Sequence, residues 1–198
     1  SPLIVLTYWN PIYAKDWESK PFPTNDVARQ EFVNYVKFTV SHFAKQVRYW
    51  EVWNEPNYVE PAKDYLPLLK MLYPAIHQIS PGATVISCGG AGAGGGPGGG
   101  YIIPILNAKG VSYQDGFSIH PYTAPYDPDN GYPAKGSPVP AVNIPLTWDY
   151  LGSIIKANSR PDGRKLELWV TEMGWPSGAD KTSAVDELHQ AAYLARAF

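Results

Sequence analysis

Five short apolar runs, each followed by a stretch with helical spacing, constrain this chain more than any other feature. They are Leu3-Ile4-Val5-Leu6-Thr7-Tyr8, the segment from about Arg48 to Trp53, Thr84-Val85-Ile86-Ser87-Cys88, Gly116-Phe117-Ser118-Ile119-His120 and Leu166-Glu167-Leu168-Trp169-Val170. A run that is apolar at consecutive positions suits a strand buried on both faces. The segments between are predicted as helices over about 26–46, 64–80, 102–108 and 146–157, with a last one from near Ser183 to Phe198. Val33, Val36, Val40 and Phe43 make the stripe of the first. Leu68, Leu69, Leu72, Tyr73, Ile76 and Ile79 make that of the second. Trp148, Leu151 and Ile155 make that of the fourth. Pro67 is expected in the first turn of its helix and Pro74 as a kink. The spacing from Ser183 to Asp186 suggests a capping box. Strand and helix alternating five times call for a parallel sheet with helical crossovers, an α/β fold.

Every unusual feature falls just after a strand. Trp9-Asn10-Pro11, Asn54-Glu55-Pro56, the glycines of 89–100, His120-Pro121-Tyr122 and Glu172 all lie there. A β/α barrel or an open α/β sheet builds its site at that edge. At 198 residues the chain can form one domain with a real core. No boundary or repeat divides it, so residues 1–198 read as a single domain. The 18 Gly and 20 Pro imply long, shaped loops.

Other chemistries are poorly supported. A net charge of −2 leaves no footprint for nucleic acid or an anionic membrane. No apolar run reaches the roughly 20 residues of a membrane helix. Cys88 is alone, so no internal disulfide framework exists. Compartment stays open, with an extracellular or periplasmic one favoured. The chain starts at Ser1, as a processed or excised one would. Gly90-Ala91-Gly92-Ala93-Gly94-Gly95 matches a dinucleotide fingerprint in letters only. The next helix begins near Ile102, too far on to meet a phosphate there. His42, His77, His120 and His189 show no metal-ligand spacing, and no nucleophile elbow is present. No cofactor and no metal are implied.

What remains is a pair of carboxylates. Tyr49 to Trp53 ends in Asn54-Glu55-Pro56, where proline must stop the ladder. Leu166 to Thr171 ends in Glu172, followed by the breaker Met173-Gly174-Trp175-Pro176. Either glutamate alone could be a loop anchor. Two strand-end glutamates on one sheet fit glycoside hydrolysis, in which one carboxylic acid protonates the leaving oxygen and a carboxylate attacks the anomeric carbon. Asn54 is placed to bond a sugar hydroxyl, and the 7 Trp and 14 Tyr suit a site for flat, partly apolar ligands.

Trp53-Asn54-Glu55-Pro56 and Thr171-Glu172-Met173-Gly174-Trp175 resemble the two signatures of the clan A retaining glycoside hydrolases. The run Glu51-Val52-Trp53-Asn54-Glu55-Pro56-Asn57 is most similar to family 39, with family 5 close. Family 17 has a similar second signature but lacks the first. The resemblance implies a (β/α)8 TIM barrel with the acid/base after strand 4 and the nucleophile after strand 7. It makes Glu55 the acid/base and Glu172 the nucleophile. It gives Asn54 the substrate 2-hydroxyl, and it matches His120 and Tyr122 to the His-x-Tyr of strand 6, which lines the site and supports the nucleophile. Trp9, Trp53 and Trp175 would be sugar platforms or packing at the barrel mouth. The expected substrate is a β-linked oligo- or polysaccharide.

Counted on that scheme, the chain covers about strands 3 to 7 and lacks strands 1, 2 and 8. A full barrel takes about 250 residues. Five parallel strands cannot close, so a missing segment or a second chain is expected to complete the barrel, and the lone chain is expected to be poorly active. The alternative is a non-catalytic carbohydrate-binding, or fragmentary, remnant of such a barrel that needs another chain for activity.

Overall fold

A computed structural model describes residues 1–7, 22–58, 61–90, 101–133, 141–142, 144–179 and 182–198. Trp9, Asn10 and Pro11, together with the glycine tract beyond Gly90, lie outside the described residues. The strands are β1 (Leu3–Leu6), β2 (Tyr49–Val52), β3 (Thr84–Gly90), β4 (Gly116–His120), β5 (Tyr132–Pro133), β6 (Ala141–Val142) and β7 (Glu167–Val170). The helices are α1 (Asp26–Phe43), α2 (Ala62–Ile79), α3 (Ile102–Asn107), α4 (Ile144–Ala157) and α5 (Glu187–Ala197).

The main sheet is five-stranded, parallel throughout, in the order β1-β2-β3-β4-β7. Each strand therefore lies beside the one before it. Right-handed crossovers between neighbours taken in one direction put every helix on the same face. A doubly wound sheet would reverse direction and cover both faces. The fold is thus part of a (β/α)8 barrel. β5 and β6 pair antiparallel in a separate two-stranded ladder between β4 and α4.

Strand periodicity divides the sheet into two environments. Trp50, Val52, Val85, Phe117 and Ile119 face the helices and are buried in the core with Val33, Val36 and Val40 of α1 and Leu68, Leu69, Leu72 and Ile76 of α2. The alternate positions, Glu51, Ser118, His120 and Thr171, bond to one another on the opposite face. At Gly116 the backbones of β4 and β7 come close: a Cβ there would lie 2.7 Å from the Glu167 carbonyl oxygen.

Local signals account for the helices, with corrections. Asn25 caps α1 by accepting the Ala28 N–H at 2.9 Å. Phe43, the last residue of α1, is exposed, and the buried stripe instead extends to Arg29 at the other end. The α2 helix starts earlier than expected, so Pro67 is beyond the first turn, and helix continues through Pro67 and Pro74. Trp148 is exposed, and α4 buries Thr147 and Leu151 instead. The cap of α5 is Asp186, which accepts the His189 N–H at 2.8 Å; Ser183 stands outside the helix.

At the amino end of β4 a polar clamp joins sheet to helix. The Asp115 carboxylate is 3.0 Å from His77 Nε2, accepts the Val85 N–H at 2.8 Å and the Tyr73 hydroxyl at 3.1 Å, and pairs with Arg160 at 3.2 Å. Burial alone would raise this carboxyl. The hydrogen bonds from His77 and Val85 and the charge of Arg160 outweigh it and hold the group below the usual carboxylate range. A folded value below the unfolded one means that the contribution is complete above about pH 4 and is lost as pH falls through the folded value. Asp115→Ala should cost about 3–5 kcal/mol in urea denaturation at pH 7, because it strands a buried arginine and a buried N–H. The cost should shrink in acid. A cost under about 1 kcal/mol at pH 7 would remove the clamp from the account of stability.

Candidate active site

The carboxyl ends of β2, β4 and β7 converge on His120. Glu55 follows β2 by three residues, and Glu172 follows β7 by two. His120 closes β4 and is fully buried, with its side chain 1% exposed. Its Nδ1 lies 3.1 Å from Glu55 Oε1 and 3.6 Å from Glu172 Oε2. The Tyr122 hydroxyl donates to Glu172 Oε2 at 3.1 Å. Burial and the adjacent Glu172 carboxylate push the Tyr122 phenol up, which keeps it a donor. An open cleft of about 520 Å³ borders Glu172, lined also by Tyr122, Val170, Met173 and Phe198.

The chain pays for this placement in backbone strain. Trp53 has φ 69° and Glu55 has φ 47°, both in the left-handed region. Several contacts force the turn. The Trp53 N–H bonds the Leu6 carbonyl at 2.9 Å, and the Tyr65 hydroxyl of α2 donates to the Val52 carbonyl at 2.6 Å. The Trp53 indole is locked edge-on against Phe22, ring centroids 4.9 Å apart, and against Phe32 at 5.5 Å. With the ends of the turn so held, Glu55 is directed toward His120.

Glu55, His120, Glu172 and Tyr122 are thus brought together. Asn54 lies part-buried between Trp53 and Glu55. Trp9 lies outside the described residues. Trp53 is 1% exposed and sits in the core. Trp175 is 3% exposed, donates its indole N–H to the Tyr126 carbonyl at 2.7 Å and meets Tyr193 edge-on at 5.8 Å. Both indoles are packing elements here, with no open face for a sugar. His120 leans to Glu55 by the shorter of its two contacts, where support of Glu172 was expected.

Behind His120 stand three polar residues not foreseen as part of the site. Thr171 Oγ1 is 3.1 Å from His120 Nε2 and donates to Glu51 Oε1 at 2.9 Å; Ser118 bonds the same oxygen. Burial pushes the Glu51 carboxyl up, against the hydroxyls of Ser118 and Thr171 and the His120 ring, which hold it down. A polar residue at an inward position of an otherwise apolar strand was the available signal. Ligand-type atoms of Glu55, His120 and Glu172 lie within 4.8 Å of one another, close enough for an ion. His120 between the acids and Tyr122 on Glu172 already partner them, so the arrangement is that of a hydrogen-bonded acid pair.

A solved family 39 glycoside hydrolase from the gut symbiont Bacteroides cellulosilyticus WH2 matches with 50% identity and a TM-score of 0.87, over 99% of this chain and 39% of that one. In sequence and in fold, this chain resembles the family 39 glycoside hydrolases. A family 39 enzyme from Xanthomonas axonopodis pv. citri shares the fold at 23% identity and TM-score 0.54, over 76% of this chain and 31% of that one. A family 39 β-xylosidase from Caulobacter crescentus does so at 23% and 0.55, over 85% and 35%. The chain therefore spans 31% to 39% of the length of these family 39 structures. No family model matches the sequence, and no curated protein matches it.

Strain at Glu55 gives a test independent of activity. Asparagine tolerates the left-handed region, and it removes a carboxylate facing another. Glu55→Asn should match the parent in urea midpoint or gain up to about 1 kcal/mol. A clear loss would mean that the carboxylate stabilises the fold through His120 by more than its backbone costs.

Proposed function

We propose that this chain carries the catalytic pair of a retaining β-glycoside hydrolase, with Glu55 as acid/base and Glu172 as nucleophile. One observation carries the reading. Oxygens of the two carboxylates come within 4.8 Å of one another across the carboxyl edge of the sheet. Retaining enzymes hold their carboxyl groups closer together than inverting ones, which must admit a water between them, and so close an approach of oxygens supports the retaining reading. The family 39 resemblance supports the same assignment.

The roles follow from the surroundings. Glu172, with Tyr122 donating to it and an open cleft beside it, attacks the anomeric carbon as a carboxylate. Glu55, less exposed and against His120, delivers a proton to the leaving oxygen. A glycosyl ester on Glu172 forms, and Glu55, now a base, activates the water that cleaves it. Asn54 is assigned to the 2-hydroxyl of the sugar beside Glu55. His120 and Tyr122 line the site, and Trp9 is kept as a candidate platform. The substrate class is a β-linked oligo- or polysaccharide. Residues 1–198 form one part of the catalytic domain.

A second reading has its own support. β1 and β7 each pair on one side only among the described residues, and both are part-exposed while β4 is buried throughout. The chain alone is then a carbohydrate-binding portion of the barrel that turns over substrate only when the remaining strands are present.

The deciding assay uses aryl β-glycosides with good and poor leaving groups, on the chain alone and in a barrel completed by the remaining strands. In the completed protein, Glu172→Ala should abolish turnover of both. Glu55→Ala should lose about 10²–10⁴-fold on the poor leaving group and much less on the activated one. NMR should show the first-formed sugar with its anomeric configuration retained; inversion rules out the mechanism. Full activity of the monomeric chain alone would dismiss the second reading.

A further inference from the structure

With Glu51 ionised and the His120 ring neutral, the proton count behind His120 has one consistent solution. Glu51 is 1% exposed on β2, and its Oε1 receives Thr171 Oγ1 at 2.9 Å together with Ser118 Oγ. The Thr171 oxygen is also 3.1 Å from His120 Nε2. A threonine hydroxyl has one proton. If it goes to the Glu51 carboxylate, Thr171 can only accept from His120, so Nε2 carries hydrogen. A neutral imidazole has a single N–H, which leaves Nδ1 bare. That bare nitrogen lies 3.1 Å from Glu55 Oε1. Two lone pairs make no hydrogen bond, so the contact needs its proton on Glu55.

Building on the reading of Glu55 as the acid/base, we propose that Glu51 and Thr171 are positioning residues: they fix His120 as its Nε2–H tautomer, so that Nδ1 accepts the Glu55 proton and keeps that side chain in its acid form before substrate binds. The same arrangement serves the second step. As the glycosidic C–O bond breaks, the Glu55 proton goes to the leaving oxygen, and Glu55 becomes a carboxylate facing a bare nitrogen. That contact is then repulsive, so the carboxylate turns to the incoming water. The water oxygen bonds the anomeric carbon, the ester bond to Glu172 breaks, and the water proton returns to Glu55.

Among the described residues, the ionisable groups around the ring are Glu51 from β2, Glu55 from the turn after it, Tyr122 after β4 and Glu172 after β7. Of these, Glu51 sets the direction of the relay. A protonated Glu51 would release Thr171 to donate to Nε2, put the ring hydrogen on Nδ1 and hold Glu55 as a carboxylate. Burial makes Glu51 easier to protonate than an exposed glutamate, so the relay should reverse in acid.

Long-range proton–nitrogen NMR on the full chain with ¹⁵N-histidine reads the tautomer directly, without substrate. Only four histidines contribute, and a His120→Asn spectrum assigns the signal. At pH 7.5 His120 should show a protonated Nε2 and an unprotonated Nδ1. Thr171→Val should abolish that preference and Thr171→Ser should restore it. If Thr171→Val does not fold, Glu51→Gln takes its place, with loss of the single tautomer expected. A wild-type ring protonated at Nδ1, or at both nitrogens, overturns the proposal. So does a tautomer unchanged in Thr171→Val or Glu51→Gln. Because no turnover is measured, failure of the hydrolase assignment in the kinetic assay leaves this result separately readable.

Discussion

Two carboxyl groups that bring oxygens within 4.8 Å of one another would repel if both were ionised, and the architecture of the site answers that constraint. Glu55 and Glu172 come from strands on either side of β4, more than a hundred residues apart in sequence. The group placed between them is an imidazole, within reach of both. Imidazole can give or take a proton on either face, so the charge between the acids is adjustable. The Tyr122 hydroxyl then relieves Glu172 from the other side. No single strand could supply this. It requires that β2, β4 and β7 be parallel and in register, so that their carboxyl ends coincide.

The two ends of the sheet solve opposite problems. At the amino end, Asp115 has cationic and hydrogen-bonding partners on every side, and its ionised form is favoured. At the carboxyl end, Glu51 is buried against the Ser118 and Thr171 hydroxyls, with the His120 ring and the Glu172 carboxylate nearby, and burial raises its carboxyl. The first arrangement stabilises the fold. The second raises a buried carboxyl, which stability alone would not select. The left-handed backbone at Trp53 and Glu55 belongs to the same pattern: strain of about 1–3 kcal/mol per residue persists only where surrounding contacts over-determine it. Here Tyr65, Phe22 and Phe32 do so.

Much of this was legible in the chain itself. The five apolar runs became the five parallel strands, because consecutive apolar residues leave a strand no solvent face. Proline after Asn54-Glu55 marked where β2 had to end. Side-chain destinations beyond the strand ends were less legible. Trp53 and Trp175 carry the composition of sugar platforms, yet both are enclosed, because the turn geometry that aims Glu55 turns the Trp53 indole into the core. Trp148 fits an apolar stripe by type but falls off it by angle, and Phe43 is exposed as the last residue of α1. The importance of Glu51, Ser118 and Thr171 came from pairing across three strands, and register between distant strands is not written in any one of them.

The two acids are unequally supported. Glu55 grows from β2, which has a neighbour on each side and is buried at three of its four positions. Its side chain is 21% exposed and sits over a turn locked by aromatic contacts. Glu172 grows from β7, which pairs with β4 alone among the described residues and has no buried position. Its side chain is 42% exposed. Local stability follows buried contacts, so β7, which carries the proposed nucleophile Glu172, opens more readily than β2, which carries the proposed acid/base Glu55. Displacement of a reacting group by about 1 Å can cost on the order of 10²-fold in rate. On the proposed assignment, anything packed beside β7 would act chiefly through Glu172, while Glu55 and His120 are already held by the strands described here.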